Sequence, residues 1–175
     1  MPMNKTKKFF LIFLSIFSLS AISEGTFVLN AERAMLSTQF AQNAFKELEE
    51  DSDFIADRER LELLQTEGQE LVEKFQQDAE TLSDDEKLDM QKKVQDKQNE
   101  VQFLANKLQT KAQEAQQSII NTLSPDFQRI LGELINAKSM DMVLSPQAAF
   151  YWDPDLDITD EVTALLDVAL AEESE

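Results

Sequence analysis

Met140-Asp-Met-Val-Leu-Ser-Pro-Gln-Ala-Ala-Phe-Tyr-Trp-Asp-Pro-Asp-Leu-Asp-Ile-Thr-Asp-Glu-Val-Thr-Ala-Leu-Leu166 is the stretch that decides the fold. Asp141 to Leu144 and Ala148 to Trp152 read as two short strands joined by Ser145-Pro146-Gln147, and Asp153-Pro154 ends the second. Asp157 or Thr159 then caps a last helix whose apolar face includes Val162, Leu165, Leu166 and Ala169. Near the other end of the chain, Gly25-Thr-Phe-Val-Leu-Asn30 is a third β-rich run, bounded by a glycine and an asparagine. Three strands with this little covering cannot make a self-sufficient sheet, because a small domain buries too little surface and an open edge invites pairing. A single copy is therefore expected not to bury itself alone. A symmetric oligomer, with identical subunits closing each other's edges, is the simplest solution.

Between these ends the pattern changes period. From about Phe40 to Leu82 there is no proline and one glycine, Gly68. Leu61, Gly68, Phe75 and Leu82 occupy one seam position of a heptad repeat, while Leu64 and Leu71 occupy the other. Asp51 and Asp53 interrupt an earlier apolar stripe, so the helix is expected to break near Ser52. At Thr81-Leu-Ser-Asp-Asp-Glu86 the stripe stops. Ser83 followed by Glu86 fits a capping box, and Asp84 and Asp85 complement the dipole of a new helix. This is the tip of a hairpin. The returning helix carries Val94, Val101, Leu108 and Ala115 in one seam position and Leu104 in the other, whose neighbouring turns hold Lys97 and Lys111. Packing along such a rod is thin.

Counting from Ser83, Phe40 and Asp126 are equally far along the two arms, and Ser124-Pro125 is expected to end one helix and start another. Each arm is then on the order of 60 Å long. Beyond it, Phe127, Ile130, Leu131, Leu134 and Ile135 mark a well-buried helix. The fold expected is mostly α within the α+β class: a long antiparallel coiled-coil hairpin over residues 45–122, projecting from a small β body of residues 24–44 and 123–175.

The chain opens with Lys5, Lys7 and Lys8, an apolar run from Phe9 and small residues at Ala21 and Ser23, which reads as a signal peptide over residues 1–23, cut near Ser23. Phe9 to Ile22 is shorter than the roughly 20 residues that span a bilayer. Its removal takes the formal charge from -18 to -21, because three lysines and no acid are lost. Such an excess repels nucleic acid and anionic lipid. With no histidine and no cysteine, the commonest general base, thiolate nucleophiles and most zinc sites are missing, and the chain is not expected to be an enzyme. Gly25, Gly68 and Gly132 are too far apart for a phosphate loop. Asp84 with Asp85, and the acids between Asp153 and Asp157, fit helix caps and turns better than a carboxylate pair or a calcium loop. No catalytic residue, metal site or cofactor is expected.

Phe27-Val-Leu-Asn-Ala-Glu-Arg-Ala-Met-Leu36, the hairpin, and above all Val143-Leu-Ser-Pro-Gln-Ala-Ala-Phe-Tyr-Trp-Asp-Pro-Asp-Leu-Asp-Ile-Thr-Asp-Glu-Val162 resemble the Skp/OmpH family of periplasmic chaperones. The resemblance covers the whole mature chain in order, with residue-level matches at its two ends. It implies a homotrimer with a β-barrel body and three helical tentacles around a cavity, which holds unfolded outer-membrane proteins soluble in the periplasm without ATP. Carried onto this chain, Phe27, Val28, Leu29, Val143, Leu144, Phe150 and Tyr151 would form the oligomer body. Phe54 and Phe103 fall beside the heptad stripe, and apolar groups on a charged rod are candidate client contacts. Members of the family are typically basic, and positive tentacles are thought to help hold lipopolysaccharide. This chain departs from that, and no basic cluster in it can be assigned to such a role. The competing expectation is a trimeric coiled-coil scaffold of the envelope.

Overall fold

Asn30 starts the first helix by turning its side chain back, so that Oδ1 accepts from the Arg33 N–H at 3.0 Å. The structure, a computed structural model, describes residues 25–173; the expected signal peptide lies outside the described residues. A strand β1 (Thr26–Val28) leads into α1 (Ala31–Leu36), and α2 (Gln39–Glu50) follows after one turn. Thr38 makes that corner. Its hydroxyl donates to the Met35 carbonyl at 2.8 Å and accepts from the Ala41 N–H at 3.2 Å, so a fully buried polar side chain is satisfied on both sides.

The break expected near Ser52 is present. Asp51 adopts an extended conformation, ends α2, and caps α3 (Ser52–Asp78) by accepting from the Phe54 N–H at 2.8 Å. At the tip, Ser83 and Glu86 form the expected capping box, with the Ser83 N–H donating to Glu86 Oε2 at 2.8 Å. From there α4 (Asp84–Ala137) returns antiparallel to α3 as one helix of 54 residues, about 80 Å long. Leu64 is the best-buried residue of the seam; Leu61, Leu71, Phe75, Val94, Val101, Leu104 and Leu108 are half-buried.

A correction concerns Pro125, where a new helix was expected. α4 runs straight through it. The proline removes one N–H from the ladder, and the Ser124 hydroxyl bonds the Ile120 carbonyl at 2.6 Å. Ile119 and Leu123 before it and Ile130 and Leu134 after it share one buried side, so core packing outweighs the break. The helix stops instead at Ala137, and the chain turns at Ser139, the one non-glycine residue with positive φ among the described residues. There the Met140 N–H returns to the Ile135 carbonyl and the Ser139 N–H to that of Asn136, a Schellman closure that buries Met140.

The turned segment enters β2 (Met142–Leu144), which pairs in parallel with β1 in the register Thr26↔Met142, Phe27↔Val143, Val28↔Leu144. Gly25 has no room for a side chain, since a Cβ there would overlap the Asp141 carboxylate. Its carbonyl accepts from both Asp141 and Met142. On the opposite edge of β1, Val28 is bridged to Asp157. The third strand expected at Ala148 to Trp152 does not form. A 3-10 turn occupies Pro146–Ala148, a second occupies Pro154–Leu156, and the aromatic stretch between them has no neighbouring strand within the subunit to pair with.

The last helix, α5 (Thr159–Glu173), starts where Asp157 accepts from the Thr159 N–H at 2.9 Å. It is tied to the N-terminal segment by Asn30 N–H to Thr159 Oγ1 and by Thr163 Oγ1 to the Ala34 carbonyl, both 3.0 Å. Val162 and Leu166 meet Ala34, Met35, Ile119 and Leu123 in a core built from α1, α4 and α5. One copy therefore does assemble a hydrophobic core, contrary to the expectation that it could not bury itself. What it leaves uncovered is the sheet's outer edge and the aromatic stretch.

Candidate functional site

Lys97 and Lys111 stand where a coiled coil ordinarily places apolar residues. Both reach across to the other arm. Lys97 Nζ donates to Glu67 Oε2 at 2.9 Å, and Lys111 Nζ lies 3.7 Å from Asp51 and 3.8 Å from Asp57. Lys107 donates to Asp57 at 2.8 Å, and Arg60 approaches Glu100 at 4.0 Å. The arms are held in register by ion pairs as much as by apolar contact. The pair of Arg60 with Glu100 is exposed and worth little, whereas the pairs at Lys97 and Asp57 are partly buried and less screened by water.

Glu67 ionises below the ordinary glutamate range, chiefly because Lys97 hydrogen-bonds its carboxylate; burial opposes the shift, and the charges of Lys97 and Arg60 add to it. A depressed pKa means that the link is intact at neutral pH and through the ordinary glutamate range. It is lost only as pH falls through the lowered value of Glu67 itself. Replacing Lys97 by alanine should return the Glu67 titration toward higher pH in a carboxyl NMR titration. An unchanged titration would mean that the cross-arm bond does not form in solution.

Above Lys97 the missing side chain of Gly68 leaves a gap in the seam. A Cβ on Gly68 would stand 3.3 Å from Lys97 Cγ, the flexible stem of a side chain. An open groove of about 750 Å³ surrounds it, floored by Leu64, Val72 and Val101 and bordered by Gln65 and Gln69 on α3 and Gln98 and Gln102 on α4. These glutamines were not singled out in the sequence. Their signal was present as two pairs spaced four apart, which stack on one face of a helix.

The predicted client residues are placed differently from each other. Phe103 is 67 % exposed on α4. Phe54 is half-buried, and it falls seven residues before Leu61, in step with the seam rather than beside it. Of the predicted body residues, Phe27, Val28, Leu29, Val143 and Leu144 come together around the two-stranded sheet, with Val28 and Leu29 buried and the Lys138 ammonium 6.0 Å from the Phe27 ring. Phe150 is fully exposed and Tyr151 is 82 % exposed. Of the acids weighed as chemistry, Asp84 and Asp85 lie in the first turn of α4, and Asp153 and Asp157 act as caps, Asp153 accepting from the Asp155 N–H at 3.1 Å. Beside the first pair, Glu86 ionises below its ordinary range because Ser83 hydrogen-bonds it.

The elements that carry this geometry, from the first strand to the middle of α5, are those that the family model for OmpH-like outer membrane proteins matches, over residues 25–166. No curated protein sequence matches the chain. A crystal structure of an OmpH-like protein of Caulobacter crescentus CB15, named for an outer membrane chaperone, is similar at 19 % identity and a TM-score of 0.47, over 83 % of this chain and 85 % of that one. The match to the family model takes in both strands, the whole hairpin, α1, α2 and the first half of α5, and the chain belongs to the OmpH-like family.

Proposed function

We propose that this protein is an ATP-independent holdase of the periplasm, which binds unfolded outer-membrane β-barrel proteins between helical arms and prevents their aggregation. The observation that carries this reading is a long hairpin, residues 45–122, whose base packs into the core through Phe45, Ile119 and Ile120 and whose remainder stands clear of the body. Membership of the OmpH-like family supports it, as does the signal-peptide pattern of residues 1–23. The body, residues 24–44 and 123–175, trimerises by covering Phe150, Tyr151 and the outer edge of β2. Phe103 contributes an apolar client contact along the arm, while Phe54 belongs to the seam that joins the two helices. Capture proceeds by mass action on the unfolded client, with no chemical step, no cofactor and no catalytic residue. The acid surface keeps the loaded complex soluble and leaves no basic cluster for lipopolysaccharide. A passive envelope scaffold would favour a filled seam, which the gap at Gly68 does not supply.

Purified mature protein, mixed with an outer-membrane barrel diluted from urea, should keep the barrel from scattering light at about one trimer per client. Undiminished scattering would remove the chaperone reading.

A further inference from the structure

The two flanks of the hairpin are chemically unlike. Take the seam positions Leu61, Gly68, Phe75, Val94, Val101 and Leu108. Every residue one place before them is charged: Arg60, Glu67, Lys74, Lys93, Glu100 and Lys107. Among the residues one and four places after them, only Glu62 is charged, and the rest are glutamine, valine and alanine. In an antiparallel pair the positions just before the seam on both helices share one flank, and those one and four places after share the other. The structure agrees with this division. Arg60 with Glu100 pairs on the charged flank, while the groove at Gly68 opens among the glutamines of the uncharged one.

We propose that the groove at Gly68, with Gln65 and Gln69 along one side and Gln98 and Gln102 along the other, holds an extended, uncharged segment of an unfolded polypeptide through its backbone. The proposal deepens the chaperone reading and rests on it. Each primary amide carries two donors and an acceptor, and so can bond a backbone carbonyl or N–H whatever the side chains are. From Leu64 to Val72 the groove runs about 12 Å, the length of three to four extended residues. Leu64, Val72 and Val101 form a floor for an apolar side chain, as an alternating barrel strand would present it. Charge selects the same occupant. Lys97 is neutralised by Glu67, and Glu73 adds a single carboxylate at the rim, so the groove offers little to a charged ligand of either sign. Gly68 makes the space. In mid-helix it costs about 1 kcal/mol relative to alanine, and the only neighbour that an alanine would press is the movable stem of Lys97.

The test uses the mature protein and a urea-diluted outer-membrane barrel. A photo-cross-linking residue is placed at Gln69, on the uncharged flank, or at Glu70, its sequence neighbour on the charged one. Cross-links to the client should come predominantly from position 69. Equal yield from both, or cross-links from 69 to a second copy of this protein, would overturn the proposal. Independently, Gly68→Leu completes the seam and closes the groove. It should weaken capture about tenfold, as expected for loss of one or two hydrogen-bonded contacts, while circular dichroism shows the arm intact or more stable. If wild-type protein suppresses aggregation and neither Gly68→Leu nor the cross-linking pair shows a difference, the groove is excluded and the chaperone reading stands. If the wild type captures no client, both fall together.

Discussion

Replacing Leu123 by alanine is expected to destabilise the body by about 2–5 kcal/mol, the cost of emptying a leucine-sized space in a closed core. Leu123 has no exposed surface. It lies on the buried side of α4 with Ile119, Ile130 and Leu134, two residues before Pro125, where the helix already lacks a backbone hydrogen bond. At that point packing is what keeps the helix continuous, so a cavity there also loosens the passage through the proline. A loss of this size is a large fraction of the roughly 5–15 kcal/mol that holds a domain folded. Urea unfolding followed by circular dichroism measures it. Leu88→Ala supplies the comparison, because Leu88 is two-thirds exposed near the tip and should change the stability by no more than about 0.5 kcal/mol. Equal effects from the two substitutions would mean that the core is not where α1, α4 and α5 meet.

The double substitution Phe150→Ala, Tyr151→Ala is expected to have the largest effect on assembly and almost none on the fold of the subunit. Within one subunit Phe150 buries nothing and Tyr151 very little, so their removal takes away no packing. In the proposed trimer they are the largest apolar groups available for coverage by a neighbour. An aromatic anchor of an interface is worth about 2–4 kcal/mol when truncated, so the two losses together weaken association a hundredfold or more. Sedimentation should show monomers at micromolar concentration, with the urea midpoint of the body little changed. Suppression of client aggregation should fall with the trimer. A variant that sediments like the wild type would show that these two side chains do not hold copies together.

Much of this architecture was legible in the sequence alone. Asp51 and Ser83 are local signals, since a cap reports its own position, and the break near Ser52 and the tip of the hairpin followed from them. The seam was legible because a period of seven needs no partner to be seen. Pro125 misled because a local rule for helix ends competes with burial on both sides of the residue, and burial is a tertiary quantity. Phe150, Tyr151 and Trp152 have the composition of a strand, yet a strand requires a neighbour, and none lies beside them within the subunit. Lys97 and Lys111 read as flaws in the seam. They are links, a distinction that depends on which acids the register of the hairpin brings opposite them. The glutamine groove escaped for a related reason: glutamine and glutamate look alike to a hydropathy pattern, and only the pairing of two helices separates their flanks.

The parallel pairing of β1 with β2 also governs the order of events when the protein is made. The first strand leaves the ribosome more than a hundred residues ahead of its partner, and joining such distant segments directly carries a heavy closure entropy. Zipping of the hairpin from its tip shortens that separation to a few residues on either side. The hairpin is therefore expected to form first and act as a splint for the base. Until β2 has been synthesised, the opening strand waits without a mate, and the unfinished polypeptide is itself a sticky, half-built molecule of the kind it is proposed to protect.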